Sequence, residues 1–389
     1  MKPAFFDKFN QSIFLLFMAI VFLLPPGTSI RTSYYILICS TVAISIFFLN
    51  KSYIKLLIKR LKLFDKNLVL LFIISTTYIF LSVFWSDLLS KELFFYYFKN
   101  YLLLLILLIF ISQTPTNQNT INYLYFLVQI SALIGSLTIS INHIHSQGTE
   151  GRLIDPIDTA QIFGLAAIFC IHKLTLHDTK PDKLFSVTII CLASIFLLML
   201  LAKSRGPFIA LIFTSLLIII RSKNIKLLAY ISLIVVSVLT TLYFFDAYDS
   251  IFNRVSVPAY RFMIWKATIF ESLDNLFFGI GLNQESSVYI TNNNMGFQHS
   301  HNMFVDTYRL TGLIGFLLLT SLTIVTLYKG YSLTKMDDIW FYILIYGVIC
   351  LLTEGRQPLN RPSHTWLIFW LPILLIAKTH TSYKIEKIK

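Results

Sequence analysis

Apolar residues run along this chain in long blocks separated by short polar connections. The blocks fall at roughly 12–26, 34–49, 67–85, 98–112, 121–141, 158–172, 184–202, 206–220, 225–245, 302–328, 338–353 and 364–377. A helix needs about 20 mostly apolar residues to cross a bilayer. In lipid such a helix satisfies its own backbone polar groups. The alternation of a membrane β-barrel is absent. The pattern therefore predicts an all-α polytopic membrane protein with about 12 transmembrane helices, forming one integral membrane domain over residues 1–389. The block at 158–172 is the weakest. The first apolar stretch, Ile13–Leu24, follows Lys2 and Lys8 and precedes Pro25-Pro26-Gly27. No small-residue cleavage site stands there, so the stretch is read as an uncleaved span.

Composition agrees. The chain is 56% hydrophobic and 13% charged, against about 25% charged in soluble domains. Its mean hydropathy is +0.72. Cys39, Cys170, Cys191 and Cys350 all lie inside apolar runs; they have no metal-ligand spacing and make no disulfide framework.

The net charge of +13 would suit nucleic acid, but its distribution points elsewhere. The connection from Lys51 to Lys66 carries Lys51, Lys55, Lys59, Arg60, Lys62 and Lys66. Placing it in the cytoplasm puts 20 of the 32 basic residues and seven of the 19 acidic ones on that side. The other side is then neutral. This is the positive-inside asymmetry, and it predicts an even span count with both termini cytoplasmic and no nucleic-acid partner. The outer side holds the long connections, the largest over 246–301. Long ordered loops in compact proteins are usually functional. Aromatic residues in 260–278 suggest an element at the membrane interface, with a helix over 260–276.

Three groups on the outer side carry chemistry. Lys203-Ser204-Arg205-Gly206 separates two apolar blocks. Arg205 is either a snorkelling interfacial cation or an anion-binding guanidinium suited to phosphate. Arg261, within Tyr260-Arg261-Phe262-Met263-Ile264-Trp265, is either a cation stacked on Trp265 or a second phosphate clamp. In His299-Ser300-His301-Asn302 the two imidazoles are expected to point apart, which argues against one metal ion taking both. His301 is either a hydrogen-bonded structural residue or a general base, and Asn302 is a candidate N-cap. Asp306 and Arg309, three residues apart, can pair on one helix face. Glu354, Arg356 and Arg361 form a further outer cluster, a rim ion network or part of an anion site. His143, His145, Glu150 and Arg152 read as surface residues.

Taken in order, Ser204-Arg205-Gly206, Arg261-x-x-x-Trp265, Phe278-Gly279-x-Gly281-x-Asn283, His299-x-His301-Asn302 and Gly312-x-x-Gly315 resemble the O-antigen ligase/polymerase superfamily. The resemblance covers roughly residues 185–350; elsewhere only hydropathy matches. It implies a GT-C-like membrane glycosyltransferase with one large periplasmic loop, 246–301. The implied donor is a glycan on undecaprenyl pyrophosphate, and the acceptor is lipid A–core. The implied enzyme sits in the bacterial inner membrane, its active site faces the periplasm, and it needs no metal or nucleotide sugar. Arg205 and Arg261 match the family's arginines as pyrophosphate-binding residues, and His301 matches its catalytic histidine. His299, Asn302, Lys203, Asp306, Arg309 and Arg356 are candidate supporting residues. Two alternatives stay open. One is a polymerase of the same superfamily, joining repeat units on the same carrier; the other is a lipid-linked sugar transporter or flippase.

Overall fold

The computed structural model describes residues 3–23, 28–47, 51–147, 153, 155–176, 183–224, 261–282, 288–290, 295–297, 299–333 and 338–388, with isolated helical positions at 228, 232, 236 and 240. The expected span at 225–245 and the first part of the large loop, 246–260, lie outside the described residues. The described chain forms α1 (Pro3–Leu23), α2 (Thr28–Phe47), α3 (Lys51–Leu61), α4 (Lys66–Leu81), α5 (Lys91–Gln113), α6 (Gln118–Gln147), α7 (Pro156–Leu176), α8 (Lys183–Leu201) and α9 (Arg205–Ser222). After the loop come α10 (Arg261–Glu271), α11 (Met303–Tyr331), α12 (Ile339–Glu354) and α13 (Leu371–Ile388). Six helices are long and apolar enough to cross a membrane among the described residues: Lys66–Trp85, Lys91–Gln113, Gln118–Ser146, Pro156–Leu176, Arg205–Ser222 and Met303–Tyr331. Shorter apolar helices run over Phe185–Leu201, Ile339–Glu354 and Trp366–Thr381.

The all-α expectation misses one element. Strands β1 (Val288–Ile290) and β2 (Met295–Phe297) pair antiparallel, with Tyr289 opposite Gly296. Phe297 and Ala267 pack on Ile264, so the hairpin rests on α10.

The chain forms two compact units that interleave in sequence. The first comprises residues 1–37, 114–257 and 334–347. At its centre α7 is buried along nearly its whole length, although its block looked weakest in the sequence. Its polar residues are what shortened the apolar run; in the fold they are enclosed by neighbouring helices. Close approach is possible because Gly164 has no side chain: a Cβ there would stand 2.1 Å from the Tyr346 hydroxyl. That hydroxyl bonds to the carbonyls of Ala160 (3.2 Å) and Gln161 (3.1 Å). His172 near the end of α7 holds Asp338 at 2.7 Å through Nε2 and bonds Tyr125 through Nδ1.

The second unit comprises residues 38–113, 258–333 and 348–389. Here α4 packs along α11, and Phe72 meets Trp370 edge-on at 5.6 Å. Helix α11 is broken at Gly312, which has φ +66°. The break would free backbone groups, and the segment after α10 takes them up. Ile280 and Gly281 amides donate to the carbonyls of Arg309 (3.0 Å) and Leu310 (2.9 Å), while the Leu313 amide donates to Leu276 O (2.8 Å). Three glycines make the fit possible. Gly279 and Gly281 also take positive φ, and a Cβ on Gly312 would lie 2.2 Å from the Phe277 carbonyl. Trp85, which ends the 3-10 turn Ser82–Trp85 after α4, clamps the same segment by donating from Nε1 to Phe278 O at 2.8 Å. Two glycine motifs far apart in sequence thus form one interlocked joint, and α11 begins on a short helical stub rigidly held at its far end.

Candidate functional site

The stub is capped by Asn302, whose side-chain oxygen accepts from the amides of Phe304 (3.0 Å) and Val305 (3.2 Å). This is the N-cap expected from the sequence. One turn in, buried Asp306 accepts from the Ser300 amide at 2.9 Å, and its carboxyl lies 3.9 Å from Arg309. The pairing expected at this spacing is present, and Asp306 also fixes the loop that precedes the helix. Trp265 on α10 adds a second tie, donating from Nε1 to Ser300 O at 3.0 Å.

Between these ties His301 takes φ +57°, a left-handed conformation that costs a non-glycine residue about 1–3 kcal/mol and clusters at functional sites. The expectation that His299 and His301 point apart is corrected: their rings meet edge-on, with centroids 4.1 Å apart. The left-handed backbone folds one ring toward the other, and even an extended strand sets residues i and i+2 on one face.

Glu354 closes the group. It ends α12, and Gly355 follows it against the start of α11; a Cβ at 355 would stand 2.5 Å from Met303 N. The Gly355 amide donates to His301 O at 3.3 Å. That approach sets Glu354 Oε2 3.0 Å from His301 Nδ1, while its other oxygen pairs with Arg261 at the start of α10. The Glu354 side chain is only 7% exposed, whereas those of His301 and Arg261 are 31% and 36% exposed. A carboxylate is thus enclosed and two outward-facing groups share it.

The protonation pattern follows. Burial, then the Arg261 and Arg356 guanidinium groups, hold the His301 imidazole down to about 4. Burial, His301, Arg356 and Arg309 hold His299 down to about 3. Both rings are neutral at pH 7. Glu354 can only accept, so His301 carries its hydrogen on Nδ1 and leaves Nε2 bare. His299 accepts the His301 amide on Nδ1 at 3.2 Å, so its hydrogen sits on Nε2. One imidazole is set up to take a proton and its neighbour to donate a hydrogen bond. Arg261, Arg309 and Arg356 outnumber Glu354 and Asp306, so the site favours an anion. Among the described residues no group of three or more His, Cys, Asp or Glu side chains is placed to hold a metal ion.

Of the residues expected at the site, the second unit brings together Arg261, His299, His301, Asn302, Asp306 and Arg309, with Arg356 close enough to act on both imidazoles. Arg205 and Lys203 belong to the first unit. Arg205 is the exposed first residue of α9, and Lys203 lies in the turn after α8 at φ +52°. A cation at a helix N-terminus works against the helix dipole, so α9 gains nothing from Arg205 there. Arg261 pairs with Glu354, and the Trp265 indole bonds the Ser300 carbonyl. His143 is corrected as well; it is buried within α6, while His145 is exposed. Glu150 and Arg152 lie outside the described residues. Glu354 was visible as an outer acid, but its bond to an imidazole 53 residues earlier had no sequence signal.

Comparison with known proteins finds one family match and one curated relative. Residues 189–320 match the family model described as O-Antigen ligase. The chain is also similar to an O-antigen ligase of Pseudomonas aeruginosa, 23% identical over 233 residues, 58% of this chain and 55% of that protein. The chain thus spans about half the length of this curated relative. The family match at 189–320 contains Arg205, Arg261, His299 and His301 and stops short of Glu354. Over residues 189–320 this membrane protein is thus similar to the O-antigen ligase family.

Proposed function

We propose that the chain is a glycosyltransferase that moves an O-antigen glycan from undecaprenyl pyrophosphate to a sugar of lipid A–core at the periplasmic face of the inner membrane. The observation that carries this is the Arg261–Glu354–His301 array with its neutral imidazole. An acceptor hydroxyl gives its proton to His301 Nε2 while its oxygen bonds the anomeric carbon. The bond from that carbon to the pyrophosphate oxygen breaks, and the electron pair leaves with undecaprenyl pyrophosphate. The result is a single displacement with inversion. Glu354 stabilises the imidazolium that forms. A positioned base typically contributes 10²–10⁴-fold.

The leaving group is an anion, and fixed donors aimed at developing charge stabilise it. Arg205 and Arg261 are assigned to the pyrophosphate. Arg261 has five N–H groups and gives only part of its fork to Glu354. Arg356 adds a third cation, and His299 offers a neutral donor. The residues need no metal or nucleotide sugar for this step. About twelve spans with both termini cytoplasmic fit the basic excess on one side, and the family resemblance implies a GT-C-like arrangement.

The experiment is a gene deletion read on a lipopolysaccharide gel and complemented with His301→Ala. A ligase predicts loss of all long glycan, with polymerised lipid-linked chains accumulating, and no rescue by a variant that still accumulates in the membrane. Core carrying a single repeat unit would instead mean a polymerase, and normal capping of the core would end the transferase reading. Reporter fusions near residues 60 and 280 should report cytoplasm and periplasm respectively.

A further inference from the structure

Helix α3 lies within the basic connection from Lys51 to Lys66. At 11 residues it is too short to cross a membrane, and its side chains sort by the helical period. Tyr53 on α3 and Phe64 in the turn that follows it are buried within the second unit. The opposite face exposes Ile54 and Ile58 beside Lys55 and Lys59, and the turn that follows α3 adds exposed Lys62 and Leu63.

Three span ends fix the level at which α3 lies. Arg60 Nη1 donates to the carbonyl of Gln113, the last residue of α5, at 3.3 Å. Asp65, just past α3, caps the first turn of α4 by accepting from the Asn67 and Leu68 amides at 3.1 and 3.2 Å. The same carboxylate pairs with Lys329, near the end of α11, at 2.5 Å. The ends of α4, α5 and α11 mark one membrane surface, so α3 runs along it.

The exposed face combines two chemistries. Water solvates the three ammonium groups but leaves the aliphatic side chains uncovered. Hydrocarbon covers the aliphatic side chains but strands the charges. The headgroup layer of an anionic leaflet takes both, with apolar groups sunk toward the acyl chains and lysines at the phosphates. No acid competes locally: Asp65 is committed to Lys329 and to His380, at 3.0 Å, and among the described residues no acidic group pairs with Lys55, Lys59 or Lys62. A soluble polyanion would account for the lysines and not for Ile54, Ile58 and Leu63. We propose that α3 is a docking surface for anionic phospholipid headgroups of the leaflet on the basic side of the protein. This surface is independent of the transferase reading.

The test uses the full chain extracted from membranes of phosphatidylethanolamine, phosphatidylglycerol and cardiolipin, with retained lipid identified by native mass spectrometry. The wild type should keep phosphatidylglycerol or cardiolipin above its share of the membrane. Each lysine is worth up to about fivefold in that enrichment, and Lys55→Gln/Lys59→Gln/Lys62→Gln should remove most of it. Equal enrichment in the variant overturns the proposal. A second measurement leaves the lysines intact. In a Cys39→Ser background, a bimane probe on Ile58→Cys should be quenched by nitroxide near the top of a lipid acyl chain and spared by a soluble nickel chelate. The opposite pattern, that of a face turned to water, overturns the proposal too.

Discussion

Glu354 Oε2 lies 3.0 Å from His301 Nδ1, and the other oxygen of the same carboxylate is held by Arg261. The carboxylate fixes the ring's tautomer, and the guanidinium fixes the carboxylate. Glu354→Gln keeps the shape but offers an amide whose donor end competes for the imidazole. Glycan transfer in vesicles supplied with lipid-linked donor should fall by roughly 10²-fold or more. Wild-type rates in a variant that accumulates normally would remove Glu354 from the mechanism.

The His301 imidazole is depressed to about 4 by burial and by Arg261 and Arg356. A base acts when unprotonated, so transfer should stay flat from about pH 8 to pH 5 and fall only as pH approaches 4, well below the ordinary histidine value near 6.5. Arg356→Gln removes one of the cations that disfavour the imidazolium. The acid limb should therefore move to higher pH, an outcome opposite to that of adding positive charge. A limb that stays in place in that variant would show that Arg356 does not act on the base.

Gly355 and Gly312 are two positions where a single methyl group should reach the site. A Cβ at 355 meets Met303 N at 2.5 Å and would lever Glu354 from His301. Gly355→Ala should therefore lose activity to about the extent of Glu354→Gln. Gly312→Ala combines positive φ with a clash against the Phe277 carbonyl. It should destabilise the second unit by about 1–3 kcal/mol, seen as a lower midpoint of thermal aggregation in detergent. If both variants behaved as wild type, the packing described for the glycine joint and the α12 terminus would be incorrect.

Arg205→Lys keeps the charge and discards the planar fork. If Arg205 binds pyrophosphate, transfer should be severely reduced, since Lys meets phosphate only as a point charge. Activity close to wild type would return Arg205 to the role of an interfacial cation.

The apolar blocks foretold the helices well because burial in lipid leaves a strong linear signal. The block at 67–85 became α4 and its terminal turn, and 302–328 became α11. Polar starts blurred the limits: α5 begins at Lys91 rather than residue 98, because its first turns carry exposed Lys91 and Glu92 ahead of the apolar run and still bury Tyr97. The helix over 260–276 and the Asn302 cap were legible from local chemistry. Three features were not. The break at Gly312 exists only because a distant segment supplies hydrogen bonds. The meeting of His299 and His301 depends on one left-handed residue. The Glu354 contact depends on Gly355 allowing two backbones to touch. Each is set by packing across long separations, where spacing along the chain carries no signal.

The placement of Glu354 beyond residue 320 bears on how such proteins could be recombined. A chimera that exchanged only residues 189–320 between two relatives would import an imidazole and a guanidinium while leaving their shared acid to the host chain. Such a hybrid could insert and fold yet stay silent, unless the crossover were moved past Gly355 so that all three partners travelled together.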